Sequence, residues 1–149
     1  MGSREQIIKL INHYGFTIDT GDLHGFSGLF EHAQWIMEGT QPIETEAQWA
    51  QARDLVILYE DGTPRTKHLT SNIDLEIDEE AGRAQSQSYV TVLQQTDELP
   101  LQVIFSGHYF DEFERVEGHW RFTKRHIRHP LVGNMSAHLK SVEAIIPAS

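Results

Sequence analysis

Hydrophobic positions near the start of the chain repeat at the spacing of a helix with one buried face. The repeating positions are Ile7, Ile11, Tyr14 and Ile18. Ser3 with Gln6 three residues later predicts a capping box at the start of this helix. The polar Asp19–Asp22 segment, which contains a glycine, predicts its end.

Shorter apolar patterns follow in the first half of the chain. Leu23–Phe30 carries apolar residues at helical spacing, and Ala33–Glu38 alternates as a short strand does. Thr45 with Gln48 predicts a capping box for a third helix, which ends before the turn signal Asp61–Pro64. The first half is therefore predicted to be mainly helical.

The second half alternates between apolar and polar residues, as strands do. Strands are predicted over His68–Ile77, 83–94, Leu101–Phe113 and Trp120–Arg128, with a hairpin turn at Glu117-Gly118. Helices followed by long antiparallel strands define an α+β fold. Because long strands twist and curl, we expect a cone-shaped barrel, formed by a strongly curved antiparallel sheet that the N-terminal helices close around a cavity.

Composition narrows the class of protein. The 149 residues fit one domain, 1–149, with a core over about 4–130 and a C-terminal tail over 131–149. A net charge of −10 argues against binding nucleic acid or an anionic membrane, and we expect a soluble, cytoplasmic protein. There is no cysteine, but nine histidines indicate proton chemistry or metal binding. His126 and His129 are three apart in an extended region, which would place them on opposite faces, so no metal site is expected.

Three residues could carry chemistry if the fold brings them together. Asp19 ends the first helix, His68 lies on the polar side of a strand, and Arg125 lies in the last strand. A carboxylate that orients an imidazole makes it a competent general base, and a buried arginine can stabilise a developing anion. Each residue also has an ordinary alternative role, as a helix cap, a structural histidine or a surface ion pair.

Longer segments around these residues resemble the SnoaL-like branch of the nuclear-transport-factor-2-like superfamily. They are YGFTIDTGDLHGFSGLF (14–30), HLTSNIDLEI (68–77) and GHYFDEFERVEGHWRFTKR (107–125). The resemblance covers about residues 4–130 and is strongest toward the group of hexachlorocyclohexane dehydrochlorinase and scytalone dehydratase. It implies a cone-shaped α+β fold with the active site inside and no cofactor.

The resemblance also implies roles for individual residues. His68 matches the catalytic base of the group, and Asp19 matches the carboxylate paired with it, with Asp22 as the alternative. Arg125 matches an arginine that helps the leaving group depart. Scytalone dehydratase has a tyrosine directly before the aspartate, where this chain has Ile18, so that particular dehydration is not expected.

Strand alternation predicts which residues would line the cavity beside Arg125. They are Tyr89, Thr91, Phe105, Gly107 and Tyr109, with Trp35 and Trp49 on the helical side. Tyr89 and Tyr109 could help to stabilise an anion. His108 or His129 could supply a second acid or base.

Two hypotheses of different class follow. The first is a cofactor-independent lyase or isomerase that uses His68 and Asp19 for dehydration, β-elimination or cyclisation of a hydrophobic cyclic or polyketide-like small molecule. The second is a non-catalytic ligand-binding or subunit-assembly module of the same fold. A hydrogen bond between Asp19 and His68 would favour the first. The resemblance further implies a homodimer or homotrimer.

Overall fold

A computed structural model describes residues 1–147. The helices are α1 (Ser3–Asp19), α2 (Leu23–Gly28) and α3 (Glu46–Leu55), and a short 3-10 helix covers Val142–Ala144. The strands are β1 (Gln34–Met37), β2 (Thr66–Asp78), β3 (Arg83–Gln94), β4 (Gln102–Val116) and β5 (His119–Val132). Within residues 1–147, no helix is long and apolar enough to cross a membrane.

One sheet holds all five strands in the order β1-β5-β4-β3-β2. β1 runs parallel to β5, and the other neighbours are antiparallel. The helices cover its concave face, and α1 packs on both β2 and β5. This confirms the predicted α+β class with a curved sheet under N-terminal helices. The predicted barrel is corrected in one respect, because β1 and β2 lie at opposite ends of the strand order and do not pair with each other, so the sheet is not closed.

The predicted helical stripe is the buried face of α1. Its members are each at most 4% exposed, and they face the concave side of the sheet. The capping box predicted at Ser3 is wrong, because the N-cap is Gly2 and no side chain caps the helix. The box predicted at Thr45 and Gln48 is confirmed at the start of α3.

A bulge in β2 decides which of its side chains face inward. The register against β3 slips by one residue between Ser71 and Asp74, so the two halves of the strand bury opposite parities. Before the bulge His68 faces the interior while Leu69 is 50% exposed. After the bulge Leu75 is buried.

A second bulge, in β5, brings large aromatic residues to the inner face. Thr123 has no partner in the register between Glu112↔Lys124 and Phe113↔Phe122. The extra residue places Trp120 and Phe122 on the same side as Arg125, although their spacing in sequence gives them the opposite parity. The ring of Phe122 lies 4.8 Å from those of both Phe30 and Phe113, so it joins the helical layer to the sheet.

The segment that follows β5 returns to the helical side of the cavity. Leu139 forms an antiparallel bridge with Val56, just after α3. The amide of Ile57 donates to the carbonyl of His138 at 2.9 Å, and the side-chain amide of Gln94 donates to that of Ala137 at 3.1 Å. The predicted tail over 131–149 is thus part of the folded unit through residue 147, and positions 148–149 lie outside the described residues.

Truncation of Phe122 should remove the contact between the layers. We expect Phe122→Ala to lower the free energy of unfolding by about 3–5 kcal/mol, because the side chain is fully buried among aromatic rings. Phe16→Ala is the matched control, since Phe16 is 65% exposed, and it should change stability by less than about 0.5 kcal/mol. Urea denaturation followed by circular dichroism measures both, and similar losses in the two variants would contradict this packing.

Candidate active site

A cavity of about 100 Å³ lies between the concave face of the sheet, the helices and the C-terminal segment. Its wall is mostly apolar, and six Phe, Tyr and Trp side chains contribute to it: Tyr14, Phe26, Trp35, Trp49, Phe105 and Tyr109. The wall also includes His68 and His138, and its two tyrosines carry hydroxyl groups. An apolar pocket with a few convergent polar groups is the usual form of a small-molecule site.

Asp19 and His68 meet at the wall of this cavity. The Nδ1 of His68 lies 2.7 Å from Oδ1 of Asp19, and both side chains are about nine-tenths buried. The same carboxylate accepts the backbone amide of His68 at 2.7 Å and the hydroxyl of Thr66 at 2.7 Å. The aspartate is therefore held in place by three donors from one strand.

The position of Asp19 is electrostatically costly without those donors. It is the last residue of α1, where the helix dipole is negative and disfavours a carboxylate. Burial is the largest effect on its pKa and raises it, but the hydrogen bonds and the charge of His68 outweigh burial and hold the pKa below its ordinary value. A carboxylate in this place orients the imidazole.

Close packing of α1 brings the two side chains together. Gly15 faces β2, and a Cβ atom built there would lie 3.3 Å from the carbonyl oxygen of His68. A larger residue would push the helix away from the strand. Because Nδ1 of His68 is engaged by Asp19, Nε2 is the nitrogen available to a molecule in the cavity.

Arg125 lies beneath the cavity and does not line it. It is fully buried, and its Nε and one terminal nitrogen donate to the two carboxylate oxygens of Asp111, each at 2.8 Å. Its guanidinium carbon lies 4.2 Å from the ring centroid of Tyr14 and 3.7 Å from that of Tyr109. The resemblance implies that Arg125 helps a leaving group depart; in the structure two tyrosine rings cover its guanidinium and Asp111 pairs with its charge.

Tyr14 and Tyr109 carry the hydroxyls nearest this ion pair. The indole nitrogen of Trp35 donates to the Tyr14 oxygen at 3.1 Å, which leaves the phenol's own proton free to be donated. Burial raises the pKa of both phenols, well above the ordinary value for Tyr109, while the charge of Arg125 opposes the rise. Both phenols are therefore neutral at physiological pH, and a hydrogen bond between their hydroxyls contributes to both shifts. Tyr14 was interpreted from sequence only as part of the helical stripe.

His138 is the site residue that the sequence pattern did not reveal. It is 6% exposed, lines the cavity, and its ring centroid lies 6.3 Å from that of His68. Burial, with a smaller contribution from the nearby charge of His68, lowers the pKa of His138 to about 4. Its surrounding segment has no clear period or motif, and only the return of the chain after β5 brings it inside.

Four predicted positions lie on the outer, convex face of the sheet. Tyr89 pairs with His108 and Thr91 with Ser106, so both side chains point away from the cavity, and Tyr89 is 48% exposed. The ring of His108 stacks on Phe110 and lies 5.9 Å from that of His129. The inward-facing residues of β3 are those between them, such as Val90 and Val92, because the register pairs the inward-facing Tyr109 with Ser88 rather than with Tyr89.

The convex histidines do not form a metal cluster. His129 has a positive φ of 52° next to an irregularity in the pairing of β5, which puts its ring on the same side as His108. The prediction of opposite faces for His126 and His129 neglected this irregularity. Within residues 1–147, no group of three or more His, Asp or Glu side chains is arranged to hold a metal ion.

The remaining predicted site residues divide between wall and support. Trp35, Trp49 and Phe105 lie in the cavity wall. Gly107 is not part of the wall. A Cβ atom there would lie 3.0 Å from the ring of Phe105, so the glycine leaves room for that ring. Asp22 caps α2 by accepting the amide of Gly25 at 2.9 Å, so Asp19 rather than Asp22 is the carboxylate beside His68.

Comparison with known families places the chain in a defined class. The SnoaL-like domain family matches residues 1–126. The protein therefore belongs to the SnoaL-like family, as its sequence resemblance implied. No curated protein matches the sequence.

Solved structures of the same fold include proteins of several descriptions. A variant of Rv3472 from Mycobacterium tuberculosis, a protein of unknown function, is 26% identical with a TM-score of 0.69, over 84% of this chain and 70% of that one. A protein from Novosphingobium aromaticivorans, provisionally described as a scytalone dehydratase, is 20% identical with a TM-score of 0.68, over 88% and 87% of the two chains. LinA is 20% identical with a TM-score of 0.64, over 87% and 88%. The last two likenesses show the fold alone.

Loss of the carboxylate at Asp111 should destabilise the floor of the site. We expect Asp111→Asn to lower the free energy of unfolding by about 3–5 kcal/mol, because it leaves the charge of Arg125 buried and unpaired. The matched control is Glu112→Gln on the exposed side of the same strand, where the pair with Lys124 spans 3.8 Å, and it should cost less than about 1 kcal/mol. Equal losses in urea denaturation would show that the buried pair is not needed.

The neutral state of His138 should make stability depend on pH. Its folded pKa of about 4 lies below the ordinary 6.5, so the unfolded chain takes up this proton first as the pH falls. The stability that neutral His138 contributes to the folded state is fully present above about pH 6.5. It is lost as the pH falls toward 4, which lowers the free energy of unfolding by about 2–3 kcal/mol. Urea denaturation from pH 7 to pH 4.5 should show a smaller loss of stability in His138→Phe than in the wild type. Identical slopes would contradict a buried neutral imidazole.

Proposed function

We propose that the protein is a cofactor-independent lyase or isomerase in which His68 removes a proton from a small hydrophobic substrate. The observation that supports this most directly is the 2.7 Å hydrogen bond between His68 and Asp19 at the wall of an apolar cavity. It leaves Nε2 of His68 as the base and gives the resulting imidazolium a carboxylate partner. Members of the same fold described as a scytalone dehydratase and as LinA agree with chemistry of this kind.

In the proposed reaction, Nε2 of His68 takes a proton from a carbon next to an electron-withdrawing group. The electron pair of the broken C–H bond moves into the substrate as an enolate or a new double bond, and in an elimination the leaving group departs with its own electron pair. Asp19 stays ionised and stabilises the imidazolium until His68 passes the proton on. The proton released can go to a departing hydroxide, which balances a dehydration.

The negative charge that develops on the substrate needs donors inside the cavity. The hydroxyls of Tyr14 and Tyr109 are neutral donors there, and they act in a dry environment where hydrogen bonds are strong. Arg125 supports them from behind, because its guanidinium lies against both rings. Its proposed role is therefore to position and polarise the tyrosines rather than to touch the leaving group.

Dehydration, β-elimination and cyclisation all begin with this proton transfer, so the site supports the shared step.

A non-catalytic binding module is the less favoured function. Ligand binding alone gives no reason to place a carboxylate at the unfavourable end of α1 against an inward-facing imidazole. A homodimer or homotrimer remains part of the proposal, since the convex face carries exposed apolar residues such as Val103 and Leu131.

Variants of the Asp19–His68 pair test the mechanism. The test substrates are a β-hydroxycyclohexanone and its β-chloro counterpart. Loss of water from the first or of HCl from the second forms a conjugated enone that absorbs in the ultraviolet. We expect His68→Ala and Asp19→Asn to lower kcat/KM by about 10²–10⁴-fold, since the first removes the base and the second its orienting charge. Deuterium uptake from D₂O into cyclohexanone follows proton removal even where no group leaves.

The control for these variants is His32→Ala, which removes a solvent-exposed imidazole and should leave the rates unchanged. Turnover of any of these ketones that is undiminished in His68→Ala would show that another group is the base.

A further inference from the structure

The imidazole of His138 is buried in the cavity wall without a protein partner for one of its nitrogens. Within residues 1–147, Nδ1 of His138 has no hydrogen-bond partner, and the residue is 6% exposed. An unpaired buried polar group costs free energy comparable to that of a lost hydrogen bond. Such a group at a ligand cavity calls for an explanation, and a bound molecule that completes its hydrogen bonds is one.

The backbone around His138 is fully engaged, in contrast to its side chain. Its amide donates to the carbonyl of Met135 at 3.0 Å, and its carbonyl accepts the amide of Ile57 at 2.9 Å. The next residues continue the attachment, because the amide of Lys140 donates to the carbonyl of Leu55 at 2.8 Å. These bonds hold the C-terminal segment without the imidazole, so the imidazole is not needed as a structural anchor.

We infer that His138 binds an oxygen atom of the substrate, and that this substrate is an uncharged molecule about one ring in size with a hydroxyl or carbonyl group on an otherwise hydrophobic frame. The inference rests on the proposed function in placing the substrate in this cavity. It adds to that function a second polar contact, contributed by the C-terminal segment rather than by the sheet.

The charge state of the ring selects an uncharged oxygen. The titratable groups that face His138 are His68 on β2 and Asp19 at the end of α1, which already form a pair. Burial keeps His138 neutral at physiological pH, so it has one nitrogen that donates and one that accepts. Such a ring suits a hydroxyl or carbonyl, whereas a carboxylate or phosphate would require a cation.

The size of the cavity limits the rest of the ligand. Its volume of about 100 Å³ is smaller than the cavity of about 150 Å³ that accommodates benzene in another protein. A single ring therefore fills this volume. The rings of His68 and His138 are 6.3 Å apart, which one small molecule can span. The carbon that loses its proton to His68 and the oxygen bound by His138 therefore belong to the same molecule.

Phenol and toluene test the inference as probes, because they are similar in size and differ in carrying a hydroxyl or a methyl group on the same ring. Binding is measured at pH 7 by calorimetry for the wild type and for His138→Phe, which keeps a ring of similar shape without nitrogen. We expect the ratio of the toluene Kd to the phenol Kd to fall about tenfold in the variant, the effect of one lost hydrogen bond. Benzaldehyde in place of phenol extends the comparison to a carbonyl.

The wild type supplies a second measurement that needs no variant. The side-chain ¹⁵N resonances of His138 should shift with phenol and not with toluene, and His32→Phe should leave the ratio of dissociation constants unchanged. An unchanged ratio in His138→Phe, absence of the ¹⁵N shift, or failure of both probes to enter the cavity would overturn the inference. None of these measurements depends on turnover. If His68→Ala keeps the wild-type rates while the preference for phenol is intact, the proposed function is refuted and the inference about His138 stands.

Discussion

The tie between the end of α1 and the start of β2 is the interaction on which the site depends. Asp19 accepts three hydrogen bonds from Thr66 and His68, and these replace the water that a carboxylate at a helix C-terminus would otherwise need. Gly15 allows the helix to approach the strand closely enough for the bonds to form. One set of contacts thus fixes the helix on the edge of the sheet and orients the imidazole toward the cavity.

A second polar unit supports the opposite side of the cavity without entering it. The pair of Arg125 and Asp111 is completely buried, and the rings of Tyr14 and Tyr109 lie over the guanidinium. Burying an ion pair seldom increases stability compared with apolar packing, so its retention is better explained by what it organises. Here it holds two phenols at the wall of the cavity, where neutral donors can meet a developing negative charge.

The C-terminal segment completes the enclosure. Met135, His138 and Leu139 line the cavity, and so do Ile145 and Ile146 further along. Backbone bonds to the segment after α3 hold it there, so the wall opposite the sheet is formed by parts of the chain that are far apart in sequence. This arrangement places an apolar lining and one neutral imidazole around whatever His68 acts upon.

Predictions of which residues face the cavity succeeded or failed according to the bulges. A strand pattern is extrapolated at a period of two, but one extra residue reverses every later side chain. The slip in β2 lets His68 and Leu75 share a face, and Thr123 lets Phe122 and Arg125 do so. Tyr89 and Thr91 were assigned to the wrong face because a local sequence does not show where its neighbour's register begins.

The sequence by itself determined the α+β class and the order of helices and strands, and a resemblance to a family indicated that His68 pairs with an aspartate, either Asp19 or Asp22. Those features depend on local periodicity and on motifs that are continuous in the chain. Only the tertiary structure decided that the sheet stays open, that Arg125 is shielded by tyrosines, and that His138 reaches the cavity. Each of these depends on contacts between residues distant in sequence, whose geometry is set by bulges and by packing rather than by any local pattern.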